Sequence, residues 1–219
     1  KTKDSVNLRQ YPSTSYSTLK TLSAGTELHV TGVYKNTNGE LWYQVIENGT
    51  TGYIMATYAE VLEYRYDDIS VIKPSMADNI NVGSAYSIKG ILNSQYNQMS
   101  KVYAKIYNGE STLATPKLNS AHALNDRSYN LYASEVDYNL AFNQLSAGYY
   151  TYEISVDVKN YYVNASGSLT SVTENVVLWQ HPFTVGTANI CTNGHSYGSW
   201  TVTKNATCSS EGSKYRTCS

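Results

Sequence analysis

The sequence predicts an all-β fold, in which a small barrel is followed by an antiparallel β-sandwich and a short cysteine-containing C-terminal tail. Apolar and polar residues alternate with a period of two in TELHVTGVY at 26–34 and in GYYTYEISVDVK at 148–159, as half-buried strands require. Turn-forming segments recur at short intervals, and no window carries the apolar stripe of a long amphipathic helix. Shifts in composition divide the chain into 1–64, 65–187 and 188–219.

The first region contains five short strand-like segments separated by turns. They cover residues 6–11, 18–22, 27–35, 41–47 and 50–55, and the stretches PSTS, SAGT, NTNGE and ENGTTG between them favour turns. Five strands in about 60 residues predict a small barrel, because closing a sheet removes its exposed edges.

Four motifs of this region occur in an order and spacing typical of a known domain family. They are VNLR at 6–9, LSAGTELHV at 22–30, LWYQV at 41–45 and GTTGYIMATYAEVL at 49–62. Residues 5–62 therefore resemble a bacterial SH3 (SH3b) domain, of the type appended to cell-wall hydrolases and surface proteins. The resemblance implies an SH3-like barrel that binds peptidoglycan, its peptide cross-bridges or another wall polymer.

Aromatic residues of the barrel are the candidate binding site. Strand parity turns Tyr43 into the barrel and Trp42 to the opposite, solvent-facing side. The resemblance places Trp42 and Tyr58 along one groove, with Tyr53 and Tyr11 as flanks. Flat rings stack on sugars or extended peptides, and their polar groups supply hydrogen bonds. The alternative interpretation is that these rings fill a small core.

The second region, 65–187, predicts an antiparallel sandwich of the immunoglobulin or fibronectin kind, with about seven strands. The stretches SAYSIKGILNS at 84–94, SKVYAKIYNGES at 100–111 and FNQLSAGYYTYEISV at 142–156 loosely resemble β-sandwich modules of secreted Gram-positive proteins, which implies a spacer or adhesion module. Ser134 and Asp137 have the spacing of a capping box that begins a single helical turn. A tyrosine near GYYTY is expected to form a tyrosine corner. Without cysteines, the core of this region must hold through apolar packing alone, and the residues expected in it include Ile88, Val102, Ala104, Ile106, Tyr152, Ile154, Val156 and Phe183.

The sequence offers no catalytic motif in either region. The carboxylate pairs Asp67–Asp68 and Glu135–Asp137 are close enough in sequence to be considered as acid and base. Neighbouring carboxylates at strand ends are usually solvated, and no G-x-S-x-G, P-loop or H-E-x-x-H pattern occurs. The chain is therefore predicted not to be an enzyme.

The third region holds all three cysteines of the chain and a histidine near the first of them. Cys191, His195, Cys208 and Cys218 resemble a short Cys/His repeat of Gram-positive surface proteins, and the natural protein is expected to continue beyond it. Thiolates and imidazole at this spacing can hold zinc, which would be the only cofactor predicted. The competing interpretation is a disulfide, which leaves one cysteine unpaired.

Composition argues against two classes of function. The 16 basic residues against 17 acidic ones include no basic stripe, which argues against nucleic-acid binding, and no apolar run is long enough for membrane insertion. The sequence predicts a non-catalytic targeting segment of a secreted or cell-surface protein, with peptidoglycan or another cell-wall polymer as its partner. Two alternatives stay open: an accessory region of a cell-wall hydrolase whose catalytic domain lies elsewhere, and adhesion to a host glycan or protein.

Overall fold

The computed structural model describes residues 1–186, 199–204 and 213–215. Strands dominate these residues, so the predicted all-β class is confirmed. The cysteines at 191, 208 and 218 and His195 lie outside the described residues. The zinc and disulfide interpretations of the tail therefore stay predictions.

Five antiparallel strands form the amino-terminal barrel. In chain order they are β1 (Val6–Arg9), β2 (Thr18–Leu22), β3 (His29–Lys35), β4 (Leu41–Glu47) and β5 (Thr50–Met55). Their order in the sheet is β2-β1-β5-β4-β3, and a 3-10 helix at Ala56–Tyr58 follows β5. The predicted bounds of β2, β4 and β5 match the structure, whereas β1 and β3 are shorter than predicted.

The barrel core is small and built from alternate strand residues. Tyr43 is 1% exposed, which confirms that it points inward. A side chain at Gly52 is excluded sterically, because a Cβ there would lie 2.7 Å from a methyl carbon of Leu8. The chain start is also tied to the barrel, since the amino terminus donates to the Glu60 carbonyl at 2.8 Å. The buried barrel core comprises Val6, Leu8, Leu22, Tyr43, Val45, Ile54 and Ala56.

Eight strands form the middle domain, in two sheets. They are β6 (Ile69–Ser75), β7 (Asn79–Ile80), β8 (Lys89–Ser94), β9 (Met99–Asn108), β10 (Leu118–Asp126), β11 (Ser128–Asn130), β12 (Gly148–Val163) and β13 (Leu169–Val185). One sheet has the order β10-β9-β12-β13-β7 and the other β11-β8-β6. All pairs are antiparallel except β7 with β13, which are parallel over two residues each.

One hydrophobic core lies inside the middle domain. The residues predicted to build it are all buried, and the aromatic rings among them pack together: the centroids of Phe142 and Phe183 lie 5.9 Å apart. The confirmed core predictions are Ile88, Val102, Ala104, Ile106, Tyr152, Ile154, Val156 and Phe183. Because no cysteine lies before residue 191, this packing holds the domain without disulfides.

Two local predictions for the middle domain are confirmed. A single-turn helix, α1 (Glu135–Tyr138), begins where Ser134 accepts a hydrogen bond from the Asp137 amide at 3.3 Å. The Tyr150 hydroxyl donates to the Ser146 carbonyl at 2.9 Å, which is the bond expected of a tyrosine corner. Both bonds satisfy backbone groups where the chain changes direction.

Two of the carboxylates considered as acid and base have structural roles instead. Asp137 is buried and accepts from the Ile88 amide at 3.1 Å. Asp68 accepts from Ser94 and from the amides of Tyr96 and Asn97. Burial alone would raise the pKa of the Asp68 carboxyl, but these hydrogen bonds lower it overall. Each carboxylate thus accepts hydrogen bonds from backbone amides of a neighbouring segment, which is a structural role.

A long hairpin connects the middle domain to the barrel. Strands β12 and β13 pair along their whole length, from Gly148 opposite Val185 to Val163 opposite Leu169, with one register shift between Ile154 and Ser155. At the hairpin tip, the Val163 amide donates to the hydroxyl of the buried Tyr43 at 2.8 Å. The Val163 side chain packs against the barrel core. The tip is therefore docked against the barrel.

Two further strands are described in the tail. β14 (Thr201–Lys204) pairs antiparallel with β15 (Ser213–Tyr215). The Thr203 hydroxyl donates to the Ser213 carbonyl at 3.0 Å, and the Lys214 amine lies 4.4 Å from the centroid of the Trp200 ring. The tail residues that the structure describes thus form a small ladder with an aromatic side chain beside it.

Candidate functional site

Trp42 is on the predicted side of its strand but is not exposed. Its side chain faces away from Tyr43, yet only 1% of the residue is accessible, so the prediction of a solvent-facing indole is wrong. The indole Nε1 is buried and has no hydrogen-bond partner among the residues that the structure describes. Strand parity gives the side of the sheet to which a residue points. It does not say what covers that side, and Trp42 sits centrally between its cross-strand neighbours Tyr34 and Met55.

Tyrosines next to Trp42 form an aromatic cluster on the outer face of the barrel, in which Tyr34 is exposed and Tyr53 is half-buried. The rings of Tyr34 and Tyr53 meet edge to face, with centroids 5.4 Å apart and an interplanar angle of 82°. Gln44 lies between them: its Nε2 donates to the Tyr53 hydroxyl at 2.9 Å, and its Oε1 accepts from Thr31 at 3.0 Å. The Tyr34 hydroxyl also donates to Oε1, at 3.5 Å. A glutamine bonded on both sides fixes the two rings before any ligand arrives.

A second pair of tyrosines lies on the loop after β1. The centroids of Tyr11 and Tyr16 are 4.9 Å apart, and about half of each residue is exposed, 49% and 50% respectively. A tight turn in which the Ser13 amide donates to the Tyr11 carbonyl at 2.8 Å folds the loop back. The two rings therefore stand together, open to solvent.

Arg9 links the two tyrosine pairs. Its Cα is the cross-strand partner of Tyr53, so the two side chains share the outer face of the sheet. Its Nη1 donates to the Tyr16 carbonyl at 2.7 Å. We call this surface the aromatic face; it comprises Arg9, Tyr11, Tyr16, Tyr34, Gln44 and Tyr53.

The four aromatic residues predicted for the site thus have different positions. Tyr53 and Tyr11 belong to the aromatic face, one in each tyrosine pair. Trp42 lies beneath the surface. Tyr58 is 42% exposed on the 3-10 helix, where its carbonyl accepts from the Lys3 amide at 2.8 Å. Within the described part of the chain, no ring contact joins Tyr58 to either tyrosine pair.

Sequence reasoning missed Arg9, Tyr16, Tyr34 and Gln44. The register of β3 shifts between Val30 and Gly32, so the alternation read through TELHVTGVY does not continue unbroken to Tyr34. Gln44 could have been found by parity, because it lies two residues after Trp42 on β4 and therefore on the same face of the sheet. No signal in the sequence showed that the loop after β1 brings Tyr16 onto Tyr11.

A cleft also lies between the barrel and the hairpin tip. It has a volume of about 630 Å³ and is lined by Val61, Leu62, Tyr64, Tyr162 and Val163 among others. The rings of Tyr64 and Tyr162 meet there with centroids 6.2 Å apart. None of the residues of the aromatic face lines this cleft.

Comparison with known proteins identifies the barrel. Residues 4–60 match the bacterial SH3 domain family. Residues 4–60 are a bacterial SH3 domain. No curated protein and no solved structure matches the chain. Bacterial SH3 domains are a family of binding domains rather than catalysts, and they are commonly cell-wall binding modules of extracellular or surface proteins.

The comparisons cover only the barrel, so the immunoglobulin or fibronectin likeness of the middle domain and the Cys/His repeat stay predictions. Among the described residues, none of the helices has the length and apolar character needed to cross a bilayer. The bacterial SH3 domain is therefore the part of the chain for which the comparisons give a family.

Proposed function

We propose that this chain is a non-catalytic targeting segment of a secreted, cell-wall-associated protein, and that the aromatic face of its bacterial SH3 domain binds peptidoglycan or a related wall polymer. The observation that carries the proposal is the two tyrosine pairs of the aromatic face, three of whose four rings are exposed, with Gln44 and Arg9 bonded to them. The proposal divides the chain as the sequence predicts, with 1–64 binding, 65–187 acting as a spacer and 188–219 beginning a Cys/His repeat.

The chemistry of the aromatic face suits a polymer of sugars and short peptides. Tyrosine rings offer apolar faces to a sugar ring or an extended peptide, and their hydroxyl groups remain available for hydrogen bonds at the wet edge. Tyr11, Tyr16 and Tyr34 are each exposed by between 42% and 50%, which leaves contact area without leaving the rings unsupported. A ligand that meets rings already fixed by Gln44 spends little free energy on ordering them.

The test is retention of the purified chain on sacculi from a Gram-positive bacterium. The variants Tyr34→Ala and Tyr11→Ala each remove one exposed ring from a different tyrosine pair. Each is expected to weaken binding by about tenfold, corresponding to about 1.4 kcal/mol, while leaving the fold intact because surface substitutions are well tolerated. Tyr138→Ala is the matched control, since Tyr138 is 72% exposed on the middle domain.

Binding that is equal in wild type, both barrel variants and the control would contradict the proposal. Equal loss in the Tyr138→Ala control would move the site to the middle domain and favour adhesion through the sandwich. The hydrolase-accessory alternative uses the same aromatic face and differs in what the rest of the protein does.

A further inference from the structure

Arg9 carries a positive charge that forms no ion pair with an acidic residue in the described part of the chain. Two lysines of the barrel have carboxylate partners: the Lys20 amine lies 2.8 Å from a Glu47 oxygen, and the Lys1 amine 3.4 Å from a Glu60 oxygen. Lys3 and Lys35 have no such partner among the described residues, but both are exposed, whereas Arg9 is half-buried. Within residues 1–186, 199–204 and 213–215, no carboxylate lies within ion-pair distance of the Arg9 guanidinium. The aromatic face therefore has a cation available for a partner from outside the chain.

Arg9 lies on the aromatic face next to both tyrosine pairs. Arg9 is half-buried, with Tyr53 across the strand and the Tyr16 carbonyl on Nη1. That bond uses one of the five N–H groups of the guanidinium and leaves four to donate to a ligand. A partly buried guanidinium that lies on the same face as several tyrosines can donate two parallel N–H bonds to a planar anion.

We propose that Arg9 selects ligands that carry a carboxylate, and that the bacterial SH3 domain recognises the peptide part of a wall polymer through a carboxyl group bound by the Arg9 guanidinium. This inference rests on the proposed function and names the chemical group that the same face requires. A carboxylate matches the guanidinium in charge and in the spacing of its two oxygens, which a neutral sugar does not. The neighbouring tyrosines then contact the apolar part of the same peptide.

The test compares native sacculi with sacculi whose carboxyl groups have been converted to amides by carbodiimide coupling with ammonia. Wild type is expected to bind the amidated sacculi about tenfold more weakly than the native ones, since a charge-assisted hydrogen bond is lost. Arg9→Gln is expected to bind native sacculi about as weakly as wild type binds amidated sacculi, and to be insensitive to amidation. Arg9→Lys keeps the charge without the planar fork and is expected to fall between them.

Arg65→Gln is the matched control, because Arg65 lies outside the aromatic face and has its own partner, Glu63, at 2.7 Å. This control is expected to bind both kinds of sacculi as wild type does. Thermal unfolding is measured for every variant to check that the barrel is folded. The amidation comparison in wild type needs no substitution at all.

The outcomes separate this inference from the proposed function. Equal binding of wild type to native and amidated sacculi overturns the carboxylate inference, and loss of binding in Tyr34→Ala would still support the polymer-binding face. A wild type that does not bind native sacculi overturns both. An Arg9→Gln variant that still distinguishes the two kinds of sacculi as wild type does shows that another residue binds the carboxylate, and overturns the role of Arg9.

Discussion

The bond between the hairpin tip and the barrel gives a measurable prediction. In Tyr43→Phe, the ring remains in the core but the hydroxyl that accepts the Val163 amide at 2.8 Å is lost. An amide left without its acceptor costs about 1–3 kcal/mol when buried. Val163 is only partly buried, so we expect the lower end of this range, about 1 kcal/mol. That free energy corresponds to about a fivefold change in the equilibrium between the docked and released hairpin tip.

Amide hydrogen exchange followed by NMR measures this equilibrium at Val163 directly. We expect the Val163 amide to exchange about fivefold faster in Tyr43→Phe, whereas amides at the centre of β12, such as that of Ile154, keep their wild-type rates. The control is Tyr161→Phe, which removes a hydroxyl from a ring that is 48% exposed and should change neither rate. Unchanged exchange of Val163 in Tyr43→Phe would refute the claim that this bond holds the tip against the barrel.

Three further substitutions probe the described structure. Trp42→Ala is expected to lower the free energy of unfolding by about 3–5 kcal/mol in urea titration, because the side chain is buried; a change under about 1 kcal/mol would place the indole at the surface after all. Ser134→Ala removes the cap of α1 and is expected to cost about 1 kcal/mol, measured by the same titration, with no effect on binding to sacculi. The Asp68 pKa is lowered on folding, so its contribution to stability is fully present above the unfolded pKa of 3.8 and is lost as the pH falls through the lower folded value. The free energies of unfolding of wild type and Asp68→Asn, measured from pH 2 to 6, should therefore differ most at the upper end of this range. Curves that run parallel over the whole range would contradict this role of Asp68.

The sequence was most informative where one local pattern determines the structure. The turn stretches and alternation around β4 and β5 predicted both strands with their observed bounds, since the intervening turn contains Asn48 and Gly49, both at positive φ. The cap at Ser134 was predicted for the same reason, because its hydrogen bond joins residues three apart.

The sequence was least informative where residues far apart meet. Parity placed Trp42 on the outer face, but its burial depends on neighbours from β3 and β5 and on what folds over them. The contact of Tyr43 with Val163 joins residues 120 positions apart, and no local pattern encodes it. The partnership of Arg9 with Tyr16 and Tyr53 likewise depends on a loop and a strand pairing together.

The reach of the β12–β13 hairpin has a mechanical consequence. The covalent connection at residues 60–68 and the docked tip at Val163 join the same two domains at two separate points. A body held at two points resists the twisting that a single tether allows, so the barrel, and with it the proposed binding face, keeps a set angle to the middle domain.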